Sequence, residues 1–384
     1  MSRAPGLDLL RAIAIAWVMY SHAQLFDLAS ETDFVANNGW MGVDLFFALS
    51  GFLIGGQLFS AYAKANEGQA HGPWVFYARR LLRTLPAYLV VVGFYFFLPG
   101  WSERTHIQPL WQFLTFTENL LFDPSHAKAF SHVWSLCVEE QFYLVAPLIV
   151  WLAMLRPRLW KAVALCAGIV LLGVAMRWSI WESVLAPLQA AHKPTGGAWI
   201  ASIYYPTWNR LDGLVFGMAF AAIRAFKPLW WGRLMARANL LTAAGLGGMA
   251  LSLWLFVDQR AELPSVIGYP VLSLSSALLV AAGSTRRALI GRWAIPGVGL
   301  LAAMAYSLYL SHKAAYHLTG LWFGKALEGH DALSVATYVA VIMAFGGALY
   351  LGVERPFLKL RDRWLQRPAP AMSAAPLGEA KAAA

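Results

Sequence analysis

Long apolar runs recur along nearly the whole chain, and they restrict its fold more than any other feature. A helix that crosses a bilayer needs about 20 mostly apolar residues, because its backbone polar groups must be satisfied within the hydrocarbon. We identify ten such runs in the 384-residue sequence, at 7–27, 41–62, 84–101, 136–155, 159–177, 209–226, 239–257, 266–284, 298–320 and 333–353. We therefore predict an all-α, polytopic integral membrane protein, a bundle of about ten transmembrane helices.

The composition excludes several other classes of protein. Hydrophobic residues make up 59% of the chain and charged residues only 13%, about half the charge of an average soluble protein. A disordered chain, a disulfide scaffold and an ordinary cytosolic enzyme do not fit these values. The two cysteines, Cys137 and Cys166, lie in apolar runs without the spacing of a zinc site, so we predict no metal.

Short and polar segments flank the spans. The stretch 110–122 is too short to cross the membrane, and we expect it to lie at the interface. The last residues, 366–384, are rich in Ala and Pro and are predicted to be a disordered tail. One transmembrane domain then covers residues 1–365.

The net charge of +10 is best explained by membrane topology. Lys and Arg are retained in loops on the cytoplasmic side. If the N-terminus is cytoplasmic, most of the 30 Lys and Arg residues fall on that side of the predicted spans. We therefore predict that both termini are cytoplasmic, and we expect no nucleic-acid partner.

Charged residues inside the first two spans are functional candidates, because a charge at membrane depth is costly. Arg11 and His22 share one stripe of the first helix and lie ~16 Å apart along its axis. Asp44 enters the second helix at about the depth of His22, where a carboxylate could orient the imidazole. The structural alternatives are an Arg11–Asp8 pair and a capping role for Asp44.

Further polar residues lie near the ends of later spans. Glu139 and Glu140 are ~100° apart on a helix, so they cannot both point the same way, and at least one is expected to face the interior. A polar set on the outer side consists of Arg210, Asp212, Tyr309 and His312; alternatively, Arg210 and Asp212 are a structural pair.

Arg79, Arg80 and Arg83 cluster where the third helix meets the cytoplasmic surface. They fit either contact with anionic lipids or a phosphate-rich ligand, for which Arg supplies forked donors.

Seven stretches of the sequence together resemble the signature of acyltransferase family 3, bacterial membrane O-acyltransferases that modify surface polysaccharides and other hydroxylated acceptors. In chain order they are LDLLRAIAIAWVMYSHA, GVDLFFALSGFLI, FYARRLLRTLPAYL, HVWSLCVEEQFYLVAPL, RLDGLVFG, AYSLYLSHK and ERPFLKLR. The similarity covers nearly all of residues 6–361, within the predicted domain 1–365.

The resemblance implies a ten-helix bundle in the bacterial inner membrane, a cytoplasmic acyl-CoA donor and an O-acyl ester product. His22 matches the family's catalytic histidine and Arg11 its partner in the same motif, while Arg80 and Arg83 match an Arg-x-x-Arg element. The implied partners are acyl-CoA, a sugar or other hydroxylated acceptor that is lipid-linked in some cases, membrane lipids and glycan-assembly proteins. Some relatives carry a further C-terminal esterase-like domain; here we expect transfer within the bundle or with another protein.

The resulting hypothesis assigns the candidate residues to three roles. Arg11, Arg80 and Arg83 would hold the phosphates of acyl-CoA, most simply acetyl-CoA. His22, oriented by Asp44, would act as general base or as a transient acyl carrier, and these two routes stay open. Glu139 or Glu140 would orient the acceptor or assist proton transfer, and the residues predicted to contact the acceptor are Arg210, Asp212 and His312.

Two other classes of function stay open from the residues alone. Intramembrane Arg, His, Asp and Glu also suit a proton-coupled transporter of a small or glycan-like solute, although we find no inverted repeat in the sequence. A membrane sensor or anchor would tolerate replacement of all these residues.

Overall fold

Helices form nearly all the regular structure of the protein, for which a computed structural model describes residues 4–66, 73–126, 128–155 and 157–365. Within these residues there is no strand. The helices of nine or more residues are α1 Pro5–Ala23, α2 Met41–Asn66, α3 Pro73–Phe97, α4 Trp134–Met154, α5 Leu159–Ile180, α6 Asp212–Phe226, α7 Pro228–Ala236, α8 Ala238–Leu255, α9 Tyr269–Gly283, α10 Val298–Leu327, α11 Asp331–Leu349 and α12 Arg355–Leu365.

The described residues contain eight helical segments that are long and apolar enough to cross a membrane. A ninth is counted if α6 and α7, which are bent by 113° to each other, form one broken span. The predicted span 298–320 is not among them. It lies within α10, whose 30 residues are long enough at about 45 Å, but buried polar residues such as Ser307, His312 and Lys313 lower its hydropathy. The all-α polytopic class is confirmed, and the sidedness of the termini stays a prediction.

Several predicted boundaries differ from the structure. The third span was predicted at 84–101, but α3 begins at Pro73, ends at Phe97 and includes Pro86. Arginine favours helix, so the charged segment before the apolar run extends the same helix. The stretch 110–122 forms only the short helix Leu110–Leu114. The predicted disordered tail, 366–384, lies outside the described residues.

Glycines allow α2 and α6 to pack with their backbones in contact. A Cβ added to Gly217 would lie 2.7 Å from the backbone nitrogen of Phe52, and one on Gly51 would meet the backbone of Leu214. Small residues at a helix interface are the common device for close packing in membranes. Close packing of α2 is found at Gly51 and Gly55, while Gly56 has nothing within 4 Å.

The spans differ sharply in how far they are enclosed by protein. In α2 and in the segment that contains α9, 72% of the apolar window is buried, against 6% in the segment that begins with α5. An apolar surface that is left exposed on a spanning helix suits contact with lipid. The central helices α2 and α9 therefore form the interior of the bundle, and α2 also lines the cavity described below, with Ser50 among its residues.

Candidate active site

A cavity of about 130 Å³ lies among α1, α2, α3, α4 and α10. Its polar lining includes three arginines, two glutamates, a serine and a tyrosine. These residues are Arg11, Arg80, Arg83, Glu139, Glu140, Ser135 and Tyr309.

The arginine end of the cavity consists of Arg11, Arg80 and Arg83. The guanidinium carbon of Arg80 lies 3.9 Å from the centre of the Tyr143 ring, and its Nε has no hydrogen-bond partner among the described residues. Arg11 pairs with Asp8 at 3.6 Å, which confirms the predicted structural pair without removing Arg11 from the cavity wall. A cluster of guanidinium groups is suited to a phosphate-bearing ligand.

Both glutamates of α4 line the cavity. Glu139 Oε2 accepts a hydrogen bond of 2.8 Å from the Tyr143 hydroxyl, which also contacts the Ser50 hydroxyl. Glu140 lies beside Arg80 and Thr84. At least one of the two glutamates is expected from the sequence to face the interior, and both do, because the cavity wraps around enough of α4 to meet two side chains ~100° apart.

Three imidazole rings meet beyond the other end of the cavity, and we call His22, His132 and His312 the histidine centre. His22 Nδ1 lies 2.7 Å from His312 Nε2, and the two rings are stacked with their centroids 5.0 Å apart. The His132 centroid is 6.0 Å from that of His22 and 4.9 Å from that of His312. Sequence reasoning missed His132, although it lies inside the matched stretch HVWSLCVEEQ; its place just before the fourth span, on the side where His22 ends the first, was the available signal.

The hydrogen-bond pattern assigns the protons on His22 and His312. His312 Nδ1 lies 3.0 Å and 2.9 Å from the carbonyl oxygens of Leu308 and Tyr309. Carbonyl oxygens only accept, so His312 Nδ1 carries the proton and Nε2 of the neutral ring is bare. That nitrogen accepts from His22 Nδ1–H. His22 Nε2 therefore keeps its lone pair, the state that a base or a nucleophile needs.

Asp44 does not orient His22, which differs from our expectation. Its Oδ2 accepts a hydrogen bond of 2.7 Å from Arg210. The Arg210 guanidinium is enclosed by aromatic rings, with its central carbon 4.2 Å from the centroid of Tyr269 and 4.7 Å from that of Tyr204. The pair joins the start of α2 to the start of α6, and His312 takes the orienting position expected for Asp44.

Asp212 is also paired differently from the prediction. It accepts a hydrogen bond of 2.8 Å from Arg177, and so the proposed Arg210–Asp212 pair is wrong. Asp212 begins α6, and there its side chain meets α5 rather than its sequence neighbour. Of the predicted outer set, only His312 contacts His22.

Tyr309 and Ser135 separate the cavity from the histidine centre. The Tyr309 hydroxyl donates to the backbone oxygen of His132 at 2.7 Å and lies 2.7 Å from Ser135 Oγ. Its ring centroid is 5.4 Å from that of His132. This Tyr309–Ser135 pair belongs to the cavity wall on one side and contacts His132 on the other.

The sequence also matches a known class of membrane proteins. Residues 5–353 match the family model of acyltransferase family 3, described as "Acyltransferase domain". The chain belongs to this family, as the resemblance predicted.

Named relatives make the comparison more specific. The chain is 26% identical over 329 residues to "O-acetyltransferase OatA" of Staphylococcus aureus, which covers 80% of this chain and 50% of that protein. It is 30% identical over 336 residues to "Putative peptidoglycan O-acetyltransferase YrhL" of Bacillus subtilis, covering 80% and 48%. It is 30% identical over 242 residues to "Peptidoglycan O-acetyltransferase OatA" of Listeria monocytogenes, covering 59% and 35%. The chain spans about half the length of the first two and about a third of the last. No solved structure matches it significantly.

Proposed function

We propose that this chain is a membrane O-acetyltransferase that moves an acetyl group from cytoplasmic acyl-CoA to a hydroxyl of a cell-surface or exported glycan. The names of the relatives support an acetyl group and a glycan acceptor. The observation that carries the proposal is the bare Nε2 of His22, fixed by His312, beyond a cavity that begins with arginines. We propose the bacterial inner membrane as its location.

The arginine end of the cavity fits the donor. Guanidinium groups bind phosphate through paired N–H donors, and coenzyme A carries several phosphates. The volume of about 130 Å³ is well below the roughly 300 Å³ of a site that encloses a drug-sized ligand. The nucleotide would therefore stay at Arg80 and Arg83, while the narrow thioester arm enters toward Tyr309.

The bare nitrogen of His22 supports either of two routes. As a general base, Nε2 takes the proton of the acceptor hydroxyl while the oxygen attacks the thioester carbonyl; the C–S bond breaks and the thiolate receives that proton. As a nucleophile, Nε2 itself takes the acetyl group and then passes it to the acceptor. In both routes His312 Nε2 accepts a hydrogen bond from His22 Nδ1–H and so stabilises the positive charge that develops on the His22 ring.

The contacts of the other candidate residues favour two different roles. Glu139 and Glu140 line the cavity, which favours a role toward the donor over the orientation of the acceptor. Asp44, Arg210 and Asp212 are buried in ion pairs, which favours holding the helices over binding substrate.

Replacing His22 tests the proposal. Membrane vesicles are given radiolabelled acetyl-CoA and lysozyme-solubilised peptidoglycan fragments, and ester-linked label in the glycan is counted. His22→Ala is expected to lower transfer by at least ~100-fold, as is typical when a general base is removed.

The matched control is His317→Ala, a histidine on α10 outside the histidine centre. Transfer by His22→Ala at the rate of the His317 control, with equal amounts of protein in the membrane, contradicts the proposal. The same vesicles test the transporter, which would bring solute into the lumen without forming an ester.

A further inference from the structure

His132 is a buried histidine whose ring packs against four other aromatic rings, those of His22, Phe130, Tyr309 and His312. It is 2% exposed, and neither Nδ1 nor Nε2 has a hydrogen-bond partner among the described residues. Leaving a buried polar group unpaired costs about 1–3 kcal/mol, so such groups are rare and call for an explanation. The position of this ring against both His22 and His312 points to a role in chemistry.

The rings of His22 and His312 have almost no hydrogen-bonding capacity left. His22 Nδ1 and His312 Nε2 bond to each other, and His312 Nδ1 contacts two carbonyl oxygens. Within the histidine centre only His22 Nε2 and the two nitrogens of His132 remain. If His22 Nε2 carries an acetyl group, it has no lone pair with which to accept the proton of the incoming hydroxyl.

We propose that His132 is the base that deprotonates the acceptor hydroxyl while His22 carries the acetyl group. This rests on the proposed function and selects the covalent route within it. The ring centroids of His22 and His132 are 6.0 Å apart in an edge-on arrangement, and the two rings share no hydrogen bond. A hydroxyl oxygen that lies against the edges of both rings, rather than between them, would be next to the acetyl carbon on His22 and within reach of a His132 nitrogen.

Acetyl transfer then takes place in two steps. In the first, the lone pair of His22 Nε2 attacks the thioester carbonyl, the C–S bond breaks, and coenzyme A leaves as a thiolate; the acetylated ring is cationic and keeps its Nδ1 proton. In the second, the acceptor oxygen attacks the acetyl carbon, His132 takes the hydroxyl proton, and the C–N bond breaks with its electron pair returning to Nε2. His132 then passes its proton to the thiolate, which becomes the thiol.

The surroundings of His132 suit a base that holds its proton briefly. Lys313 donates to Ser131 Oγ at 3.1 Å, one residue away, and a nearby cation opposes a lasting second positive charge. The other ionisable groups against the ring are His22, His312 and Tyr309, and none of them offers a carboxylate that would trap the proton.

The test compares two acceptors that differ in their need for a base. Hydroxylamine is nucleophilic without losing a proton first, whereas a sugar hydroxyl needs a base. The full chain, in membrane vesicles with radiolabelled acetyl-CoA, is given either hydroxylamine or peptidoglycan fragments. His132→Gln is expected to form acetylhydroxamate within about threefold of the wild-type rate and to lose at least ~100-fold in transfer to glycan.

Three controls make the result decisive. His22→Ala sets the background and is expected to form neither product, and His317→Gln is expected to form both. His132→Asn is the second variant if His132→Gln does not reach the membrane at the wild-type level.

The inference is overturned if a His132 variant acetylates glycan within about threefold of wild type. It is also overturned if both products fall together at a normal protein level, or if the wild type acetylates glycan but never hydroxylamine. A wild-type chain that forms neither product contradicts the proposed function itself.

Discussion

Most of the deeply buried charges near the site are fixed in ion pairs. Asp44 and Arg210 meet across 166 positions of sequence, and Asp212 and Arg177 across 35. Removing one partner of such a pair leaves an uncompensated charge in a low-dielectric interior, which costs about 3–5 kcal/mol. At the scale of single residues, these pairs hold the starts of α2 and α6, while the histidines keep nitrogen atoms free.

Glu118 provides a pH-dependent prediction at the same scale. It lies in the loop between α3 and α4, and burial raises its pKa from 4.5 to about 8. A raised carboxyl pKa means that the folded state binds the proton more tightly, so the resulting stability is full below pH 4.5 and is lost as the pH rises to about 8. Between about pH 5 and pH 8, the melting temperature of the wild type is expected to fall by at least ~4 °C relative to Glu118→Gln.

Thermal unfolding of the detergent-solubilised protein measures this difference, with Asp123→Asn as the control. Asp123 is exposed, and hydrogen bonds from Lys128 and Ser125 hold its pKa below the usual range, so its contribution is lost only as the pH falls. Parallel curves for the wild type and Glu118→Gln across this pH range would show that the prediction is wrong.

At the scale of elements, the contact between α2 and α6 depends on missing side chains. Gly217 has no room for a Cβ against α2, whereas Gly56 on α2 has nothing within 4 Å. Gly217→Val is therefore expected to destabilise the protein by more than the 1–3 kcal/mol of ordinary overpacking. Gly56→Val carries the same change of helix propensity without the clash.

The measurement is the melting temperature of each purified variant, together with its amount in the membrane. The Gly217 variant is expected to melt several degrees below the Gly56 variant. Equal melting temperatures would mean that the two helices can separate without cost.

The long apolar runs predicted the helical elements but not the ends of all of them. The runs at 41–62 and 239–257 correspond closely to α2 and α8. The start of α3 depends on charged residues, and the bend between α6 and α7 falls at Lys227, the residue before Pro228. A count of apolar residues is blind to both. The polarity of α10 likewise follows from its position inside the bundle.

The candidate site was likewise predictable only in part. The charged residues in the predicted spans and the family motifs indicated the residue types of the site, including the arginines of the cavity and His22 of the histidine centre. The contacts between these residues could not be predicted in the same way. Both Asp44 and His312 were candidates for a place near His22, and only the tertiary fold decides that His312 contacts it. His132 was overlooked because a lone histidine just before an apolar run is only a weak signal until two others are seen beside it.

At the scale of the whole molecule, the proposal assigns donor and acceptor to opposite sides of the membrane. In sealed inverted vesicles, where the cytoplasmic face is outside, added acetyl-CoA is expected to acetylate peptidoglycan fragments enclosed in the lumen. Right-side-out vesicles are expected to need permeabilisation first, because the donor cannot cross the bilayer.

The readout is ester-linked label in the enclosed glycan, and detergent should make the two preparations equal. Equal labelling before detergent, in vesicles shown to be sealed, would contradict a cytoplasmic donor.

The Tyr309–Ser135 pair has a consequence for the cell. It places two hydrogen-bonded side chains, Tyr309 and Ser135, between the cavity and the histidine centre. An ion that moved from the cavity toward the histidine centre would have to displace these side chains first. A bacterium could make many copies of such a protein while its membrane keeps a low conductance and holds its electrical potential.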